Sequence, residues 1–220
     1  MKTARLVILS FQFLLALTCY SQEPILINLH EQVQQKNINV YNRDLELLNE
    51  PSYKGIRLSK STGEGFAWLK DFSFSTGIIE FDVRGEDVKQ HSFVGIAFRG
   101  KDNETFDAIY LRPFQFRAKE EELRNRAIQY ISWPEFTWQK LREDSPGKYE
   151  QAVKPAPDPN AWVHMRVVIQ GDSVSTYINN SVQPCLVVNL LSPGRTGSIG
   201  FYVADTSGGD FANLRITKTN

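Results

Sequence analysis

Apolar and polar residues alternate with a period of two along most of this chain, the spacing that puts every second side chain on one face of an extended strand. Gly77-Ile78-Ile79-Glu80-Phe81-Asp82-Val83-Arg84 is the clearest case. Ile79, Phe81 and Val83 share one face and Glu80, Asp82 and Arg84 the other, so this strand covers a core and keeps a solvated back. Ser92 to Arg99 is apolar on both faces apart from its ends, which predicts a central strand. Further strands are predicted at 106–112, 126–131, 162–170, 173–178, 185–189, 197–203 and 211–217. Between them, Gly171-Asp172, Asn179-Asn180, Pro193-Gly194 and Gly208-Gly209 supply residues that tolerate positive φ in tight turns. Many strands at short spacing, with no alternating helices, predict an all-β chain of two packed antiparallel sheets.

Helical spacing is confined to one excursion. Ser132 and Glu135 have the spacing of a capping box, Pro134 suits a first helical turn, and Phe136, Lys140 and Leu141 follow at helical intervals, predicting a short helix over 134–143. Lys119 to Arg126 and Lys154 to Pro159 read as long loops, the segments of a compact sandwich that more often carry function.

The start of the chain follows a different pattern. Lys2 and Arg5 precede a short apolar run from Leu6 to Leu17, and small residues follow, the make-up of a signal peptide over residues 1–21 and hence of a protein exported to the periplasm or medium. Cys19 offers a second reading as a lipid anchor, weakened by Thr18 and Ala16 at positions where lipidation prefers a small residue and a leucine. No later segment approaches the roughly 20 apolar residues of a spanning helix, so no membrane span is expected. The remainder, 22–220, is long enough to bury a core as one domain without disulfides. Cys185 is then its lone cysteine and reads as a small buried hydrophobe. With 25 basic and 25 acidic residues the net charge is zero, which gives no electrostatic case for nucleic acid. Four Trp, eight Tyr and 14 Phe suit both a sandwich core and the stacking of rings on sugars.

Several segments carry a resemblance: Glu80-Phe81-Asp82-Val83-Arg84-Gly85, Phe93-Val94-Gly95-Ile96-Ala97-Phe98-Arg99-Gly100, Asp107-Ala108-Ile109-Tyr110-Leu111-Arg112-Pro113-Phe114-Gln115-Phe116, Pro157-Asp158-Pro159-Asn160-Ala161-Trp162-Val163-His164 and Gly208-Gly209-Asp210-Phe211-Ala212-Asn213-Leu214. In this order they resemble a concanavalin A-like jelly roll. The likeness is nearest to secreted bacterial domains grouped with laminin-G-like modules and the 3-keto-disaccharide hydrolase family, over residues 45–217. It implies a two-sheet jelly-roll sandwich whose partner is carbohydrate, an oligosaccharide in saccharide utilisation, on a scaffold that serves lectins, binding modules and hydrolases alike.

Glucanases of this superfamily place two carboxylates on one strand face about 5 Å apart. Glu80-Phe81-Asp82-Val83-Arg84-Gly85-Glu86 is the nearest segment here, and it departs from that motif: Arg84 stands where the second Glu belongs and Glu86 lies beyond a glycine. No Ser-His-Asp set, zinc-ligand spacing or nucleotide fingerprint is present, and no cofactor is expected. Asp205 and Asp210, around a Gly-rich turn, could contribute oxygens to a structural calcium. Planar guanidinium and amide groups beside rings suit an array of sugar hydroxyls. The candidate ligand-binding residues are therefore Arg99, Tyr110, Arg112, Gln129, Trp133 and Trp138, with Tyr110 and Arg112 on one strand face by parity. If the chain cleaves glycosides, Asp107, Glu135 and His164 are the candidates for acid/base work. Three readings stand: a glycan-binding domain with a shallow cleft, which the residues favour; a glycoside-cleaving hydrolase or lyase with convergent acid/base groups; and a laminin-G-like protein-interaction module with a flat polar face and a sizeable exposed apolar patch.

Overall fold

The computed structural model of the protein describes residues 23–219, so the expected signal peptide and Cys19 lie outside the described residues. In chain order the elements are β1 (Ile25–Leu26), α1 (Leu29–Gln34), β2 (Ile38–Tyr41), β3 (Leu45–Glu50), β4 (Tyr53–Leu58), β5 (Gly65–Phe74), β6 (Gly77–Arg84), β7 (Val94–Gly100) and β8 (Phe106–Leu111). A 3-10 turn (Pro113–Gln115) follows, then α2 (Glu121–Arg124), β9 (Ile128–Trp133), α3 (Trp138–Asp144), β10 (Glu150–Gln151), β11 (Val163–Gln170), β12 (Ser173–Ile178), β13 (Leu186–Asn189), β14 (Gly197–Val203) and β15 (Gly209–Lys218).

These strands form two antiparallel sheets. The back sheet runs β13-β12-β11-β6-β15-β4-β3, with β1 also pairing β15, and the front sheet runs β10-β9-β8-β7-β14-β5-β2. The chain crosses between sheets at β1–β2, β2–β3, β4–β5, β5–β6, β6–β7, β10–β11, β13–β14 and β14–β15, the connectivity of a jelly-roll sandwich. Strand parity decides what fills the space between them. In β6 the burial alternates residue by residue, with Ile79, Phe81 and Val83 turned inward. Phe201 of β14 meets Phe81 at 5.9 Å and Phe211 of β15 at 4.6 Å across the gap, so the sheets interlock through aromatic rings. β7 is buried along its whole length, the outcome expected of a strand apolar on both faces.

Parity on the front sheet also fixes its outer face. Because Phe201 points inward, Tyr202 points out, and its register partners Gly95, Tyr110 and Gln129 point out with it. Gly95 is the residue that fits this row: a Cβ there would meet the backbone oxygen of Ile109 at 2.1 Å.

The predicted helix over 134–143 starts later than its capping box implied. Ser132 and Phe136 exchange two backbone hydrogen bonds, 3.0 and 2.7 Å, which hold residues 133–135 in a turn and deny Ser132 the cap. The helix begins at Trp138 with Thr137 as its cap, the Thr137 side chain accepting from Lys140 N. The segment read as a loop at 119–126 contains the single turn α2.

Candidate functional site

The outer face of the front sheet forms the floor of a cleft of about 730 Å³. One wall is the excursion from the 3-10 turn through α2 and α3; the rest of the lining comes from Glu64, from Ala204 and Asp205, and from Asp87, Lys89 and Gln90 of the β6–β7 connection. At the floor, Tyr110 and Tyr202 lie with ring centroids 5.7 Å apart. Burial pushes both phenols above their ordinary range, so both keep their protons at neutral pH.

Arg112 sits just past the end of β8, where parity turns it toward the cleft. Its guanidinium donates to Tyr110 Oη at 3.0 Å, to Gln129 Oε1 at 3.1 Å and to the Arg126 carbonyl at 2.7 Å. Nε has no partner among the described residues. The guanidinium also lies within 5.1 Å of the Tyr110 ring centre and 5.8 Å of that of Phe93. Glu150 stands behind it, buried, accepting two bonds from Arg142 at 2.8 and 2.6 Å. The same carboxylate is 3.6 Å from both Arg112 and Arg126, and Arg126 also pairs with Glu122, so three guanidiniums face two carboxylates and leave one positive charge in excess at this end of the cleft. Trp138 lies on the cleft wall with 39% of its surface exposed and Arg142 packed against its ring. Trp133 stacks on Phe106 at 6.1 Å and closes the floor beside it.

On the opposite wall stands Glu64, between two glycines in Gly63-Glu64-Gly65. Tyr202 donates its phenolic hydrogen to Glu64 Oε2. Burial raises the Glu64 carboxyl above the usual glutamate range, against the opposing pull of the Tyr202 bond and of Arg43. Asp205 lines the same wall and accepts from the Gly63 backbone N–H at 2.7 Å. A proton-accepting carboxyl therefore faces a fixed positive cluster across a row of phenols, an arrangement able to take a proton from a bound molecule and stabilise the charge left behind.

The structure gathers Tyr110, Arg112, Trp133 and Trp138 on this cleft and places Gln129 directly behind, holding Arg112. Arg99 lies elsewhere: it is buried at positive φ (52°) and donates to the Gly171 carbonyl at 3.2 Å, toward the β11–β12 turn. None of the three acid/base candidates reaches the cleft. Asp107 shares its strand parity with Ile109 and points into the sandwich, where Tyr130 Oη donates to it at 2.8 Å and Ser192 Oγ at 2.5 Å. Glu135 is exposed on the turn before α3. His164 lies on the outer face of the back sheet, its Nδ1 2.8 Å from Asp82 Oδ1, while Asn213 donates to Asp82 Oδ2 at 2.6 Å. Glu80 and Asp82 are on that same far face, and Glu86 pairs with Lys60.

Asp205 and Asp210 do not share a site. Arg57 binds both oxygens of Asp210 at 2.6 and 2.9 Å, and Arg84 binds one of them at 2.6 Å, whereas Asp205 is at the cleft rim. Among the described residues no three His, Cys, Asp or Glu side chains come together as metal ligands would. No helix among them is long and apolar enough to cross a membrane. Burial pushes the Cys185 thiol up to about 12, which suits a packed side chain and not a nucleophile.

Glu64, Tyr202, Arg126 and Arg142 are absent from the sequence-based site. Glu64 did have a local signal, a carboxylate bracketed by glycines; the others have none.

A sequence profile described as the 3-keto-alpha-glucoside-1,2-lyase-like domain matches residues 23–217. Comparison with curated protein sequences gives no match. Among solved structures the chain is similar to a carbohydrate-binding module, CBM66, from Bacillus subtilis, with a TM-score of 0.58 and 15% identity over 82% of this chain and 96% of that one. It is also similar to a Bacillus subtilis protein of unknown function with a galectin-like fold (TM-score 0.55, 16% identity, 87% and 93% covered). A third likeness is to the exoplasmic/lumenal domain of VIP36 in its Ca2+- and mannose-bound form (TM-score 0.53, 11% identity, 81% and 83% covered). At these identities the likeness is one of fold.

Proposed function

The chain belongs to the 3-keto-alpha-glucoside-1,2-lyase-like domain family, and from that premise we propose that its cleft binds a 3-keto-glycoside and cleaves the glycosidic bond by elimination across C1 and C2. A ketone at C3 acidifies the hydrogen on C2. A base removes it, the electron pair moves into an enolate on the C3 oxygen, and collapse of the enolate expels the C1 oxygen as an alcohol. That chemistry requires a base with raised proton affinity, positive charge for the enolate and a hydrogen-bond donor for the departing oxygen.

Glu64 is the base in this reading, because burial has already raised its affinity for a proton while Tyr202 fixes its orientation. Arg112 supplies the charge for the enolate, its Nη donors held by Tyr110, Gln129 and the Arg126 carbonyl so that the guanidinium is fixed at the cleft floor. Tyr110 accepts from Arg112 and has no acceptor for its own hydrogen among the described residues, so that hydrogen is available to the departing oxygen. Trp138, 39% exposed on the wall, offers a face to the sugar ring. The observation that carries the proposal is the partly buried Glu64 carboxyl, its proton affinity raised by desolvation, in one cleft with the Arg112 cluster.

A second reading, glycan binding without cleavage, is favoured by the Trp138 face and the Arg142 packed on it. The two separate on incubation of the protein with 3-keto-glucosides and the matching unoxidised glucosides, with released alcohol and thermal stability followed together. Glu64→Gln is expected to lower kcat/KM by roughly 10²- to 10⁴-fold while the ligand still raises thermal stability. Turnover of Glu64→Gln at the wild-type rate would remove Glu64 from the mechanism, and a stability shift without release in the wild type would leave the binding reading.

A further inference from the structure

We propose that Arg43, which does not line the cleft, is a positioning residue for Glu64: it ties together the segments that make that wall and sets a positive charge behind the carboxylate. The proposal rests on the reading of Glu64 as the base.

Arg43 is 8% exposed, and the hydrogen bonds of its guanidinium all run to backbone carbonyls. Nε donates to Ser207 at 3.1 Å, Nη1 to Asn42 at 2.6 Å, and Nη2 to Gly63 at 2.7 Å and Ala204 at 3.2 Å. One side chain thus holds the chain between β2 and β3, the approach to β5, and the turn between β14 and β15, segments separated by as many as 164 positions. Within that clamp Glu64 is bracketed: the Gly63 carbonyl before it takes a bond, and the Arg43 stem lies against Gly65 after it. A Cβ at position 65 would meet Arg43 Cγ and Cζ at 2.6 Å, so glycine there makes room for the guanidinium. Gly63, at φ +74°, turns the chain into the bracket. The Gly-Glu-Gly sequence is explained by this packing.

The chemistry of the clamp fits a positioning role. A fork of five N–H groups can bridge several carbonyls at once, which an ammonium cannot. Since the carbonyls are neutral and Arg43 has no ion-pair partner among the described residues, its charge is not cancelled by a contact pair and acts on the two carboxylates at the wall, Glu64 and Asp205. A cation there favours the ionised carboxylate and works against burial. Arg43 therefore opposes the desolvation that disfavours the ionised, proton-accepting form of Glu64.

The test is the titration of Glu64 by carboxyl 13C NMR, assigned by its loss in Glu64→Gln, in wild type, Arg43→Met and Arg43→Lys. Removing the charge in Arg43→Met is expected to raise the Glu64 midpoint by roughly one pH unit and to carry the acid limb of kcat/KM upward with it. Arg43→Lys keeps a charge but cannot bridge the carbonyls; it is expected to hold the midpoint nearer to wild type while amides of residues 62–65 and 204–207 exchange hydrogen faster. A midpoint unmoved in both variants would overturn the proposal and leave Arg43 a purely structural clamp. If Arg43→Met does not fold, Arg43→Lys decides: faster exchange confined to those segments supports the clamp, and unchanged exchange overturns it. The NMR titration does not depend on turnover, so absence of lyase activity would count against the proposed function without deciding whether Arg43 tunes Glu64.

Discussion

Glu64 and Asp107 are both carboxyls raised above the ordinary range by burial, and their surroundings give them different work. Asp107 faces into the sandwich with both oxygens engaged by Tyr130 and Ser192, so a perturbed proton affinity there belongs to the packing. Asp107→Asn is expected to destabilise the fold by roughly 1–3 kcal/mol in urea unfolding and to leave activity per folded molecule unchanged. A folded variant that lost activity would place Asp107 in the mechanism after all. His164 makes a third case, on the far face. The hydrogen bond its Nδ1–H donates to the Asp82 carboxylate raises its proton affinity in the folded state, so the stability it adds is fully present below its unfolded value and is lost as pH rises through the folded one. His164→Asn should therefore cost about 1 kcal/mol in mildly acidic buffer and close to nothing in alkaline buffer; an equal cost at both would mean that the ion pair contributes nothing.

At the scale of elements, alternation is a sound guide where burial alternates strictly along a strand, and it misses both the margins and the interior strands β4 and β5, whose burial does not alternate. β6 and β7 could be read from their residues because β6 covers the core with one face and β7 is buried on both. β3, at the edge of the back sheet, buries only Leu48, and β2, at the edge of the front sheet, buries none of its residues, so neither needs the strict pattern that the reading relied on. α3 starts later than its capping-box spacing predicts because a backbone bridge between Ser132 and Phe136 outcompetes a side-chain cap. The β7–β8 pairing carries the cleft floor, and it is expected to fail in Gly95→Ala. The added Cβ would press on Ile109 O and Tyr110 Cα, at 2.1 and 2.6 Å, backbone atoms that cannot step aside. A loss of more than about 3 kcal/mol in thermal or urea unfolding is the expected reading, and a near-neutral variant would mean that the two strands separate more easily than their register implies.

Over the whole molecule, half of the candidate site was legible and half was not, for a reason rooted in topology. Tyr110 and Arg112 come from one strand and its end, so parity alone put them on one face. Glu64 reaches Tyr202 from 138 positions away, and Arg142 comes from a helix on the opposite wall; no local spacing encodes such a meeting. Asp107 cannot be placed from sequence because its strand is buried on both faces, which leaves parity without a polar face to mark. The most direct test of the account uses a 3-keto-alpha-glucoside labelled with deuterium at C2. The wild-type protein is expected to release the alcohol with loss of the label from C2, and Glu64→Gln to do neither while the ligand still stabilises it. Release of the alcohol with deuterium retained at C2 would contradict elimination and place the chemistry at the anomeric carbon alone.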